Sequence, residues 1–214
     1  MKQILLSLVV MALVGCGKNK KEDLITTWTS DPSNPQNVIV EAAIREELKK
    51  PTGELTKADL EKVKTLSFWM SNITNEGVKD AAKLKQLEDL SLNHTKITDE
   101  CLKEVAKLPK LRTLGLWDTQ ITDAGIREVA KLTQLESLNL GATKITNRGL
   151  KEVSKLTKLT YLNLRYIDEI TDEGLKELAK CKQLENLYLG KWLDAPVELQ
   201  KALPNCKISH NAKK

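Results

Sequence analysis

Ser91, Asn93, His94, Asp99 and Glu100 bring a hydroxyl, an amide, an imidazole and two carboxylates into one short stretch, LSLNHTKITDE, at residues 90–100. A serine near a histidine and an acid suggests acyl transfer, with the imidazole taking the hydroxyl proton and the acid orienting the imidazole. Asp118 holds the place of His94 in the next copy of a recurring pattern, so Ser91, His94 and Asp118 form a triad on paper. Such a nucleophile also needs donors for the oxyanion and shelter from water. Metal chemistry has less to build on. The two histidines are His94 and His210, and the four cysteines are Cys16, Cys101, Cys181 and Cys206. None has paired-ligand spacing. No glycine-rich phosphate loop occurs either. The residues give no reason to expect a bound metal.

The elements that carry these residues recur. LEDLSL at 87–92 returns as LRTLGL at 111–116, LESLNL at 135–140, LTYLNL at 159–164 and LENLYL at 184–189, and VKTLSF at 63–68 precedes them. The step between copies is constant until one extra residue enters before the last. A second signature follows each of the first five copies: ITN at 73–75 and 145–147, and ITD at 97–99, 121–123 and 170–172. Repeats of this length signal a solenoid. In one coil Leu90 and Leu92 alternate with Ser91, which predicts a short strand with its leucines inward. Thr98 or Asp99 is placed to cap a helix, and Leu102, Val105 and Ala106 fall at helical spacing. Neither face can be buried alone, so stacked coils must share one core. A shallow sheet of this kind supplies neither oxyanion donors nor shelter. The serine, histidine and acid are therefore expected to be binding-surface residues and the protein no enzyme.

This pattern resembles the leucine-rich-repeat family, from Val63 to about Ile208, and within it the bacterial "ITDxGL…LA.L" class. The usual asparagine after the strand is replaced by Thr95, Thr119 and Thr143, with Ser71 before them. A hydroxyl there can bond the turn backbone and form a ladder between coils. The resemblance implies an α/β fold: a curved, right-handed solenoid with parallel strands on the concave side and short helices on the convex side. It further implies an interaction scaffold without catalysis, cofactor or obligatory metal.

Solenoid ends need caps. Residues 38–48 read as an amphipathic helix through Val40, Ala43, Ile44 and Leu48, stopped by Pro51 and Gly53. With Leu55–Leu60 this stretch resembles the N-terminal cap of internalin-type proteins. At the other end a helix begins at Pro196, and LPNCKI at 203–208 ends the array, leaving Ser209–Lys214 as a frayed tail. The chain opens with Lys2 and an apolar run from Ile4 to Val14, too short to span a bilayer. Leu13-Val14-Gly15-Cys16 resembles a bacterial lipobox, which implies cleavage before Cys16 and lipidation of its thiol. The lipid would tether the domain to a membrane outside the cytoplasm. Gly17 in place of Asp favours the outer membrane in a cell with two. The expected organisation is a signal peptide at 1–15, lipidated Cys16 and tether at 16–37, an N-terminal cap at 38–62, six repeats at 63–193, and a C-terminal cap and tail at 194–214. Trp28 interrupts the tether, and docking on the domain is favoured over contact with a partner.

The formal charge of +5 comes from scattered lysines balanced by glutamates, which argues for a solvated surface and against nucleic acid. Cys101 stands where other coils have glycine, Cys181 where they have a leucine, and Cys206 at a strand leucine. All three are expected as buried free thiols, with a Cys181–Cys206 disulfide left open. The repeat frame places ten residues on the concave side: Trp69, Met70, Asn93, His94, Trp117, Asp118, Tyr161, Arg165, Tyr166 and Tyr188. Five of the chain's few aromatics fall there although a core would have used them, and Trp, Tyr and Arg are favoured at binding hot spots. Trp69, Met70, His94 and Trp117 form one expected patch. Tyr161, Arg165, Tyr166 and Tyr188 form a second, across a saddle at Gly141 and Ala142. The expectation is a monomeric, envelope-anchored binder of a protein or peptide. The alternative is a binder of wall or surface glycan, whose rings also suit Trp and Tyr.

Overall fold

The computed structural model describes residues 27–28, 31–190 and 195–210. The expected signal segment, Cys16 and most of the tether lie outside the described residues. At the N-terminus a two-residue strand β1 (Thr27–Trp28) pairs antiparallel with β2 (Leu55–Thr56), and the helix α1 (Pro35–Leu48) lies between them. A short α2 (Lys57–Leu60) leads into the repeats. Strand and helix then alternate as β3 (Thr65–Ser67), α3 (Asn75–Ala81), β4 (Asp89–Ser91), α4 (Asp99–Val105), β5 (Thr113–Gly115), α5 (Asp123–Val129), β6 (Ser137–Asn139) and α6 (Asn147–Val153). The series continues through β7 (Tyr161–Leu164), α7 (Asp172–Lys176) with a 3₁₀ turn at Glu177–Lys180, β8 (Asn186–Leu189), α8 (Val197–Ala202) and β9 (Lys207–His210).

The strands β3 to β9 form one parallel sheet in sequence order. Its register stacks Leu66, Leu90, Leu114, Leu138, Leu162, Leu187 and Ile208, so the leucine frame and the strand frame coincide. Leu90, Leu92, Leu102 and Val105 are fully buried, and their counterparts in the next two coils are buried too. Helices stand roughly 8–10 Å apart and strands about 4.8 Å, so the array curves with its strands inside.

The repeated Asp/Asn after Ile-Thr does more than begin a helix. Asp99 accepts from the Thr122 amide (2.8 Å) and hydroxyl (2.6 Å) of the next coil, and Asp123 does the same to Thr146 at 2.8 and 2.7 Å. Asn75 and Asn147 each accept from the following coil's threonine amide and donate to its hydroxyl. These side chains form rungs between coils and lie over the third helical residue, so a Cβ at Gly125, Gly149 or Gly174 would strike them. The inter-coil ladder expected of Thr95, Thr119 and Thr143 does not form. Their hydroxyls donate to Leu92, Leu116 and Leu140 of their own coils. Charge-assisted bonds are worth more than neutral ones, so Asp99→Ala is expected to lower stability by about 2 kcal/mol. Asp99→Asn is expected to lose about half as much, since Asn75 and Asn147 already serve as rungs. Urea midpoints check the order; an equal loss would show that only the side-chain volume matters.

The helix α1 starts at Pro35, ahead of the expected Val38. Asn34 caps it by accepting from the Gln36 amide, and Pro35 occupies its first turn. The extension matters because the Gln36 side chain accepts from the Thr74 amide (2.7 Å), which supplies the first rung of the ladder. The segment 16–37, read as tether, thus contributes to the cap. The helix ends at Lys49, which is left-handed, before Pro51 or Gly53 is reached. Trp28 is half-buried against the core. At the other end Ser209 and His210, expected to fray, pair with Tyr188 and Leu189 in β9.

Candidate binding face

The five coils from β3 to β7 leave their strands through a residue with positive φ: Met70 (54°), His94 (55°), Asp118 (51°), Ala142 (53°) and Tyr166 (58°). The left-handed region disfavours residues with a Cβ. The conformation holds because each turn extends the ladder. The His94 amide donates to the Trp117 carbonyl (2.7 Å), Asp118 to Gly141 (2.9 Å) and Ala142 to Arg165 (2.8 Å). The result is a rim along the strand ends, from which side chains project in rows.

The rim gathers six of the expected site residues: Trp69, Met70, His94, Trp117, Asp118 and Tyr166. The Trp69 and His94 rings lie 6.1 Å apart, His94 and Trp117 6.5 Å, and Trp117 and Tyr166 5.5 Å in a T-shaped pair. His94 Nδ1 meets Asp118 Oδ2 at 2.9 Å, so the paper contact between them exists. Ser91 does not complete a triad: among the described residues its hydroxyl makes no hydrogen bond to His94, and its side-chain partner is the Asn93 amide, which donates to it (3.0 Å). Asn93 Oδ1 accepts from the Trp117 backbone amide (2.8 Å), so the side chain of Asn93 is engaged within the sheet. Met70 and Tyr166 project with 64% and 61% exposure, and Trp69 with 59%.

The expected saddle at Gly141 and Ala142 is covered. Trp117 leans across Gly141, where a Cβ would drive into its ring, and reaches Tyr166 two coils away. Tyr166 therefore joins the first patch, and a single aromatic stripe runs from Trp69 to Tyr166. A smaller group sits on the sheet itself. Tyr161 and Tyr188 lie 5.3 Å apart, and the Arg165 guanidinium carbon sits 4.7 Å above the Tyr188 ring. Burial pushes the Tyr161 phenol up from its ordinary pKa. Arg165 Nε is buried with no hydrogen-bond partner among the described residues.

The remaining cysteines are free and buried. Burial pushes the Cys101 thiol up to about 12 and Cys181 to about 11, and raises Cys206 as well. Low thiolate content and poor access both slow reaction. Ellman's reagent at pH 8 is expected to find no fast thiol in the folded Cys16→Ser chain and three in guanidinium. One thiol in guanidinium would instead reveal a Cys181–Cys206 disulfide.

The leucine-rich-repeat family profile matches residues 155–179. Among solved structures, internalin C2 of Listeria monocytogenes is 27% identical, covering 82% of this chain and 85% of its own, with a TM-score of 0.59. A leucine-rich-repeat protein of Leptospira interrogans is 29% identical over 71% of this chain and 38% of its own, at a TM-score of 0.53. Internalin F of Listeria monocytogenes, 22% identical, covers 82% of this chain and 57% of its own at 0.58, a likeness of fold alone. The present chain thus spans less than two thirds of the last two. A search of curated proteins found no match. The registered coils, the repeat match and the bacterial internalins among the structural neighbours together give this chain the leucine-rich-repeat fold.

Proposed function

We propose that this chain is a non-catalytic binding protein that holds an extended protein or peptide segment along the aromatic rim, tethered outside the cytoplasm by lipid on Cys16. The observation that carries the reading is the continuous stripe of Trp69, His94, Trp117 and Tyr166. It follows the rim from β3 to β7, four strand spacings, roughly 19 Å. An extended segment of about six residues covers that length. In the T-shaped pairs Trp69–His94 and Trp117–Tyr166 the edge of one ring meets the face of the other, an arrangement that suits side chains inserted between the rings better than sugars stacked flat on them. The Arg165 guanidinium, held over the Tyr188 ring, adds a cation for an acidic group on the ligand.

Residues 16–214 carrying Cys16→Ser, which hold every described element, provide the test. Binding to envelope extract that vanishes when the extract is digested with protease supports a protein or peptide ligand. Sedimentation with purified wall polymer, lost on Trp69→Ala, would replace this reading with the glycan one.

A further inference from the structure

The two flanks of the solenoid differ in charge. One flank consists of the turns that run from helix to strand. Turns 61–64, 82–88 and 154–160 each carry two Lys, 106–112 carries two Lys and one Arg, and 130–136 and 181–185 carry one Lys each. Their acids are Glu61, Glu88, Glu136 and Glu185. The opposite turns, from strand to helix, are balanced: Lys96, Lys144 and Arg165 against Asp118, Asp168 and Glu169.

Local pairing does not cancel the surplus. Lys83, Lys107, Lys131 and Lys155 are matched by acids one helical turn before them. Lys64 and Arg112 pair with Glu88 and Glu136. Lys62, Lys85, Lys110, Lys158 and Lys182 have no carboxylate partner among the described residues. Lys85 and Lys182 reach only the carbonyls of Ala82 and Ala202, and Lys110 only the Gln86 amide oxygen. Glu185 is the one acid of these turns outside an ion pair among the described residues.

Two features tie this flank to the chain's own N-terminus. Thr27 pairs with Thr56, which caps α2, and α2 borders the turn at Lys83–Gln86 across a shared groove. Thr27, the described residue nearest Cys16 in sequence, therefore lies close to the lysine-rich flank. Ten residues separate Cys16 from Thr27, a reach of at most about 35 Å. In a curved solenoid the concave and convex sides bend, whereas the flanks lie nearly in planes and can meet a flat surface.

We propose that the helix-to-strand flank rests on anionic lipid headgroups, for which Lys85, Lys110, Lys158 and Lys182 supply the uncompensated charge. The orientation rests on the Cys16 anchor proposed above, since a lipid chain and a basic surface together hold a protein more firmly than either alone. The flank lies at the start of the strands and the aromatic rim at their ends. Docking in this way turns the rim away from the bilayer.

The test uses residues 16–214 with Cys16→Ser, so that lipidation plays no part. The vesicles are phosphatidylcholine alone, or phosphatidylcholine with one lipid in three replaced by phosphatidylglycerol, each at low and physiological salt. The unsubstituted flank is expected to sediment with the anionic vesicles only, and less at the higher salt. Lys110→Glu with Lys158→Glu is expected to weaken this at least tenfold. Lys96→Glu with Lys144→Glu, the same charge change on the opposite flank, is expected to change it less than threefold. Equal losses would reduce the effect to net charge and overturn the proposal, as would absence of binding by a chain that circular dichroism shows folded. Mass spectrometry of the native protein tests the anchor separately: an unmodified Cys16 sinks the anchor while vesicle binding still stands.

Discussion

Gly141→Ala is expected to destabilise the protein by about 1–3 kcal/mol, the range for overpacking a filled site. The added methyl has nowhere to go, because the Trp117 ring lies over Gly141 and the Arg165 carbonyl stands 3.1 Å from the new Cβ. Gly190 occupies the same position in its coil, and there the nearest atom is the Tyr166 amide nitrogen at 3.9 Å. Gly190→Ala is therefore expected to be neutral or stabilising by up to about 1 kcal/mol, through loss of freedom in the unfolded chain. The cycle with Trp117→Ala isolates the cause. Without the indole, an alanine at 141 is expected to cost less than half as much, the remainder coming from the Arg165 carbonyl, which stays 3.1 Å from the new Cβ. Urea unfolding of the four proteins measures this, and additive effects of the two substitutions would show that Trp117 does not lie over Gly141.

Leu138→Ala is expected to have the largest effect on stability, about 2–5 kcal/mol. Its side chain is fully buried and sits in register between Leu114 and Leu162, in the middle of the sheet. Each coil of a solenoid is supported only by its neighbours, so a cavity there weakens the coupling on both sides. For a chain of this size a shift of roughly 2–4 °C follows each kcal/mol. Val197→Ala, at a residue 62% exposed, is expected to move the midpoint hardly at all. A thermal scan in which the two variants melt together would contradict a shared core.

The strands and their register were legible because leucine at a fixed period reports burial directly, and the stacked row from Leu66 to Ile208 is that period made spatial. The rungs were legible only in part. The recurrence of Thr98-Asp99 and Thr122-Asp123 is plain, yet helix capping explains it equally well, and the partner in the next coil emerges only when the coils are stacked. Gln36 escaped because it lies outside the repeat and substitutes for a rung by position alone. The aromatic slots followed from the frame, which placed Trp117 and Tyr166 on the same side. That Trp117 would lean across Gly141 depends on a rotamer and on the room left by the neighbouring coil, and periodicity carries neither. The missing signal was a pair: a glycine at a position where adjacent coils have Trp117 and Arg165.

The central claim is that the rim is the binding face. Residues 16–214 carrying Cys16→Ser, immobilised beside a variant with Trp69→Ala, Trp117→Ala, Tyr161→Ala and Tyr166→Ala of matched folded fraction, are to be challenged with the same envelope extract. The account predicts a protein retained by the first and lost from the second, and retained again when Lys110→Glu and Lys158→Glu replace the aromatic changes. Equal retention by the aromatic variant would contradict it and move the binding surface to the convex helices.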